Sequence, residues 1–208
     1  MERTGSPSLL PIFRSQQQAE LLASLLDDPE TETSLSDLTG HLHIPTASVH
    51  REVERAERAG LVPSRRVGHS RLVSANRDSP HFEPLRQPLV MAFGPPERLR
   101  SALDEIAGIA AAHLFGSWAA RWHGEEGPRP PGDIDLLVLG DPDRDQVYAA
   151  VNEVRTELGR EVQVTIRPAD WIEHGEGSFH DTVMARPMVS VLNQEHQDKT
   201  SAAATTAR

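Results

Sequence analysis

Between Ser34 and Ser74 the hydrophobic period switches once, at Gly60, and few folds admit that switch. Ser34-Leu35-Ser36-Asp37 has the spacing of a capping box, with Asp37 placed to answer the Ser34 cap, and it opens a short helix to about Leu42. Ile44-Pro45 makes a turn. Thr46 stands where it can cap a further helix, Ala47–Ala59, whose Val49, Val53 and Ala56 recur at i, i+4 and i+7 and face inward. Past Gly60 the text changes to period two. Leu61–Val67 and Arg71–Ser74 flank Gly68-His69-Ser70, the pattern of a β-hairpin. Upstream, residues 12–26 put Ile12, Phe13, Ala19, Leu22, Leu25 and Leu26 on one side of an amphipathic helix that Asp27-Asp28-Pro29 ends.

Helix, helix, turn, helix and hairpin is the order of a winged helix-turn-helix. A Pro-punctuated connector (Pro80, Pro84, Pro88, Gly94, Pro95, Pro96) then leads to a helix near Glu97–Ala107. Ile109–Phe115, Asp133–Leu139 and Val162–Arg167 read as strands and Asp143–Leu158 as an amphipathic helix. Trp118–Gly132, with Gly124, Gly127, Pro128, Pro130 and Pro131, reads as a loop. Trp171–Met184 gives short helices, Met188–Leu192 a short strand, and residues 194–208 a disordered tail. The expected fold class is α+β, with a winged helix-turn-helix over residues 1–90 and a mixed α/β sheet domain over residues 91–193.

Composition narrows the function classes. With 38% hydrophobic and 25% charged residues in 208, collagen-like, wholly disordered and membrane-embedded classes are excluded. No apolar run approaches the roughly 18 residues of a transmembrane helix, so no membrane partner is expected. Met1–Arg14, broken by Pro7 and Pro11, lacks a signal-peptide core, so the expected compartment is the cytoplasm. The absence of cysteine removes disulfides, thiolate nucleophiles and thiol metal sites. The net charge of −10 is uneven, with −2 on residues 1–90 and −8 on the remainder. A nucleic-acid binder of this charge must work through a local basic patch. Residues 51–75 supply one, with six Arg (51, 55, 58, 65, 66, 71) against three Glu (52, 54, 57).

In a helix-turn-helix the N-terminal residues of the second helix meet base edges in the major groove. With Val49, Val53 and Ala56 inward, the outward set is Thr46, Ala47, Ser48, His50 and Arg51. These offer hydroxyls to bases or phosphates, a small residue for close approach, and a guanidinium for guanine or phosphate. Arg65, Arg66, His69 and Arg71 fall on the hairpin, in reach of backbone or minor groove. The stretch SLSDLTGHLHIPTASVHREVERAERAGLVPSRRVGHSRLV resembles the winged-helix core of ArsR- and MarR-type transcription regulators over roughly residues 10–90. The resemblance implies a homodimer on a pseudo-palindromic double-stranded DNA site, with the first helix and the helix after the wing as dimer elements. It departs from the metal-sensing members, which rely on cysteines, and His41-x-His43 reads as two solvent-facing histidines.

The second constellation is Phe115-Gly116-Ser117 at the end of one strand and Asp133-Ile134-Asp135 at the start of the next. Alternate strand residues share a face, so the two carboxylates project together about 6.6 Å apart along the strand. Carboxylates so held can bind the Mg²⁺ ions that clamp a triphosphate. Gly116 lets backbone approach a phosphate, and Ser117 offers a hydroxyl and an N–H. Over roughly residues 95–192, with AAHLFGSWAARW and GDIDLLVLG as its core, the chain resembles the minimal nucleotidyltransferase domain of the DNA polymerase β-like superfamily. That resemblance implies that Gly116 and Ser117 are the nucleotide-phosphate motif, that Asp133 and Asp135 are catalytic metal ligands, and that Arg121 touches a phosphate. It also implies Mg²⁺ and an NTP such as ATP as cofactors.

Active members of that superfamily commonly supply a third carboxylate from the strand matching Glu161–Ile166, whereas this chain places Gln163 on that face. An amide accepts a hydrogen bond but takes no proton usefully near neutral pH. Two readings follow. One is a DNA-binding transcriptional regulator whose nucleotidyltransferase-like domain binds nucleotide and is catalytically degenerate. The other is an active Mg²⁺-dependent nucleotidyltransferase that modifies a protein, RNA or small-molecule hydroxyl, with the winged helix for targeting or autoregulation.

Overall fold

The computed structural model describes residues 13–125 and 132–193. Ile12 of the expected first helix, residues 126–131 of the expected loop and the expected tail over residues 194–208 lie outside the described residues. The fold is α+β, and the chain divides into two compact units. One runs to Arg98 and includes Thr156–Gly159; the other comprises Leu99–Arg155 and the chain from Arg160 onward. Among the described residues no helix is long and apolar enough to cross a membrane.

The first unit opens with α1 (Gln16–Asp27), later than its apolar stripe suggests, because Ser15 caps it by accepting from the Gln18 N–H at 3.2 Å. Strand β1 (Thr33–Ser34) precedes α2 (Leu35–Leu42). Ser34 caps α2 as its spacing predicts: its Oγ accepts from the Asp37 N–H at 3.1 Å and donates to the Asp37 carboxylate at 2.7 Å. His43 ends α2 in the left-handed region at φ 52°, and Ile44 is buried behind it. Helix α3 (Thr46–Arg58) begins one residue earlier than expected. Pro45 is its N-cap, and Thr46, expected as the cap, is the first helical residue and makes no capping bond. The expected inward residues Val49, Val53 and Ala56 are buried.

Strands β2 (Ser64–Val67) and β3 (Ser70–Val73) form the hairpin, with Val67 opposite Ser70 and Gly68 at φ 58° in the two-residue turn. A first turn residue with positive φ matches the twist of the flanking strands, which is why glycine stands there. β1 adds to the other side of β3, giving a three-stranded sheet in the order β1-β3-β2. The Pro-punctuated stretch after it is not a plain connector but holds α4 (Phe82–Phe93). Pro84 lies in its first turn, where no N–H is needed, and Pro88 breaks one interior bond. Burial of Phe82, Leu89, Val90 and Phe93 offsets that break, and the Phe93 ring meets Phe13 edge-on at 5.5 Å. Residue 90, the expected domain boundary, lies inside this helix. Helix α5 (Pro95–Leu103) follows.

The second unit is a four-stranded sheet in the order β6-β5-β4-β7, built from β4 (Ile109–Phe115), β5 (Asp133–Gly140), β6 (Glu161–Arg167) and β7 (Val189–Asn193). β4 pairs antiparallel with β5 and β7, while β5 and β6 run parallel and are joined through α7 (Arg144–Leu158). The expected loop from Trp118 starts instead within a helix, α6 (Gly116–Trp122), that buries Trp118, Ala119 and Ala120. Trp118 and Trp122, one turn apart in that helix, stack at 5.7 Å. Helices α8 (Trp171–His174) and α9 (Ser178–Met184) complete the unit.

The period of β5 decides where the site lies. Ile134, Leu136 and Val138 are fully buried on one face of the sheet. On the other face Asp133 and Asp135 lead into Leu137 and Leu139, which pack in a cluster with Phe115, Trp171 and Val183. One face therefore runs from two carboxylates to an apolar floor.

Candidate functional site

The basic patch of the first unit is exposed in the way its sequence predicts, but much of its charge is spent. Thr46, His50 and Arg51 are exposed on the N-terminal half of α3, and Ser48 is half-buried there. Arg51 donates to Ser48 Oγ at 3.0 Å. On the hairpin, Arg65 lies in β2 and is held by the Glu32 carboxylate through Nε at 2.7 Å and a second bond. Arg71 in β3 donates to Ser64 Oγ at 3.1 Å and pairs with Glu57. Arg66 lies directly across from Arg71 in the register. Arg66, His50 and His69 make no side-chain hydrogen bond or ion pair among the described residues.

These pairs leave their mark on the acids. The Ser64 hydroxyl, with Arg71 beside it, holds the Glu57 carboxyl below the usual carboxylate range. A hydrogen bond from Arg65 does the same to Glu32. Both acids stay ionised well into the acid range and keep their arginines neutralised at neutral pH.

The second constellation converges on one point. Gly116 follows β4 at φ 69°, and a Cβ there would stand 2.0 Å from Asp135 Oδ2. Only a residue without a side chain lets the carboxylate lie against that backbone. Asp133 and Asp135 are half-buried on one face, as strand alternation requires. In the parallel register Asp133 faces Glu161 and Asp135 faces Gln163. Gln163 reaches diagonally and donates from Nε2 to the Asp133 carboxylate. Glu161, two residues earlier on the same face of β6, has its side chain 68% exposed and paired to Arg155 at 3.1 Å. Ser117 is exposed in the first turn of α6, and Arg121 is half-buried in its last.

Burial, with the neighbouring charge of Asp133 added, pushes the Asp135 carboxyl up. Two carboxylates share this face, and the Gln163 amide is bonded to one of them, Asp133. Mg²⁺ takes oxygen ligands and is commonly held by one or two carboxylates plus substrate phosphates, so this donor set fits it. Among the described residues no group of three or more His, Asp and Glu side chains is arranged to hold a metal. His41 and His43 belong to no such group, and His43 serves as the end of α2.

Sequence reasoning missed what lies farther along the same face, where Arg167 stands opposite Leu139. Arg167 of β6 lies over the rings of Trp171 and Phe179, at 5.9 and 5.3 Å from their centroids. The apolar signal at Trp171 and Phe179 was legible as short helices; their return to the β5 face was not. His113, on this face of β4, is held below the usual imidazole range by burial, which keeps it neutral.

No family model, no curated protein and no solved structure matches the chain.

Proposed function

We propose that this chain is a DNA-binding transcriptional regulator in which a winged helix-turn-helix is joined to a nucleotidyltransferase-like domain that binds a nucleotide with Mg²⁺ without turning it over. The observation that carries the reading is the hydrogen bond from Gln163 to Asp133, beside Asp135 and the close approach of Gly116. Asp133 and Asp135 would hold Mg²⁺, which when bound neutralises triphosphate charge between protein and substrate oxygens. Gly116 admits a phosphate close to the backbone. Gln163 fixes Asp133 by donating to it, and an amide accepts no proton from an attacking hydroxyl near neutral pH. Binding is preserved and the base is missing.

The N-terminal half of α3, with Thr46, Ser48, His50 and Arg51, is the element that enters the major groove in this reading. Arg66 and His69 meet the DNA backbone directly, and Arg65 and Arg71 do so by exchanging Glu32 and Glu57 for phosphate. The protein acts as a homodimer in the cytoplasm, through α1 and α4. A nucleotide biases DNA binding only by its differential affinity for the free and DNA-bound states. The alternative of an active nucleotidyltransferase keeps the same Gly116, Ser117, Asp133 and Asp135 but needs Glu161 as base, and Arg155 engages that carboxylate.

Fluorescence anisotropy tests the reading on a duplex from upstream of the coding sequence against a scrambled duplex, across salt, with and without Mg²⁺-ATP. The expected result is a salt-dependent preference for the upstream duplex that nucleotide shifts, with no label transferred from NTP. Equal affinity for both duplexes under every condition overturns it. Label transfer that Asp133→Asn abolishes would replace it with the enzyme reading.

A further inference from the structure

The face that begins with Asp133 and Asp135 holds an aromatic and cationic cluster that the reading above leaves unused. Phe115 is the cross-strand partner of Asp135, so the ring and the carboxylate share one side of the sheet. The Phe179 ring of α9 stands edge-on to Phe115 at 6.1 Å and tilted against Trp171 at 5.7 Å. Phe115 and Trp171 are 9% exposed, whereas Phe179 is 40% exposed. Over it lies the Arg167 guanidinium, whose hydrogen bond among the described residues goes to the Ile166 carbonyl at 2.9 Å. No carboxylate among the described residues pairs with Arg167. An exposed ring and a cation without an acid thus stand on the same surface as two carboxylates without a cation.

We propose that Phe179 and Arg167 form a base-binding subsite for the nucleotide whose phosphates reach Asp133 and Asp135, and that it takes guanine in preference to adenine. The inference rests on the reading of those aspartates as metal ligands for a nucleotide. Every base has a π-face, so stacking on Phe179 supplies affinity without selecting among bases. Selection falls to Arg167. A guanidinium carries donors and no acceptor. Guanine presents O6 and N7 as adjacent acceptors, while adenine presents N7 beside an N6 amino donor, which opposes a guanidinium N–H.

Isothermal titration calorimetry on the full chain in Mg²⁺ tests this with three probes: inorganic tripolyphosphate, ATP and GTP. The wild type should bind GTP more tightly than ATP, and both more tightly than tripolyphosphate. Phe179→Leu, which keeps apolar volume, should weaken both nucleotides on the order of tenfold and leave tripolyphosphate unchanged. Arg167→Gln should erase the preference for GTP; it reads out independently should Phe179→Leu fail to fold. If tripolyphosphate binds and is lost in Asp135→Asn, while nucleotides bind no tighter than tripolyphosphate or Phe179→Leu changes nothing, the subsite is overturned and the metal-phosphate site stands. If no probe binds the wild type, both fall.

Discussion

Each unit places like charges side by side, and the two resolve the conflict differently. On the hairpin Arg66 and Arg71 face each other across the strands. Like charges directly opposite are unfavourable, but Glu57 takes up Arg71 and Glu32 takes up the adjacent Arg65. On β5, Asp133 and Asp135 share a face more deeply withdrawn from water, and Asp133 is answered by the amide of Gln163. A charge pair closed by its own acids is complete without a ligand, and in the proposed reading its arginines reach DNA only after an exchange. A carboxylate bonded by a neutral donor gains no countercharge from it, and in the proposed reading a divalent cation is the partner that answers the pair. The second cluster is therefore the stronger evidence of a ligand, although the first carries more charged groups.

Two glycines break or sharpen this contrast with the largest effects. Gly116 and Gly68 both sit at positive φ, but a Cβ at Gly116 meets the Asp135 carboxylate while one at Gly68 meets nothing within 4 Å. Gly68→Ala should cost about 1–2 kcal/mol, the left-handed penalty alone. Gly116→Ala should cost more, up to about 3 kcal/mol from the backbone, and should also displace the carboxylate and abolish Mn²⁺ binding. Denaturant unfolding and Mn²⁺ titration check both; equal costs for the two variants would mean that Gly116 is a turn residue and no part of a site.

Asp135→Asn is expected to come next. Burial, then Asp133, raises the folded carboxyl above its unfolded value. Such a group stabilises below its unfolded pKa and loses that contribution as pH rises through the folded one, so at neutral pH the ionised Asp135 is a cost. The variant should raise the apo melting temperature and should remove any stabilisation by Mg²⁺. A lower apo melting temperature would show that the pair is already satisfied.

What the sequence made legible were features that lie on one element or span one turn. The Ser34 cap, the Val49, Val53 and Ala56 stripe and the Asp133/Asp135 face depend on spacing within a helix or strand, and spacing is what a sequence displays. α4 was hidden because Pro84 and Pro88 read as breaks, yet its buried face outweighs one lost bond. α6, at seven residues, was too short to show a period after β4. The Gln163 bond and the Phe179–Arg167 stack were out of reach for another reason. They join residues far apart in sequence through the β5–β6 register and the return of α9, and neither distance leaves a trace in spacing.

The hairpin supplies the smaller effects. The Glu57 carboxyl is held down first by Ser64 and then by Arg71, so its contribution is present above its unfolded pKa and is lost as pH falls through the lower folded value. Glu57→Gln should remove that acid-side loss and leave Arg71 without its acid. The freed cation should steepen the dependence of duplex binding on salt by about one counterion. Glu32→Gln should do the same for Arg65 with less effect on the fold, because that pair is solvent-exposed and already screened. Its melting temperature should not change measurably, and anisotropy across salt is where the variant should differ from wild type. If both variants bind duplex with an unchanged salt slope, Arg65 and Arg71 are bound to their acids for structure alone. Arg66, His50 and His69 would then carry the contact with DNA.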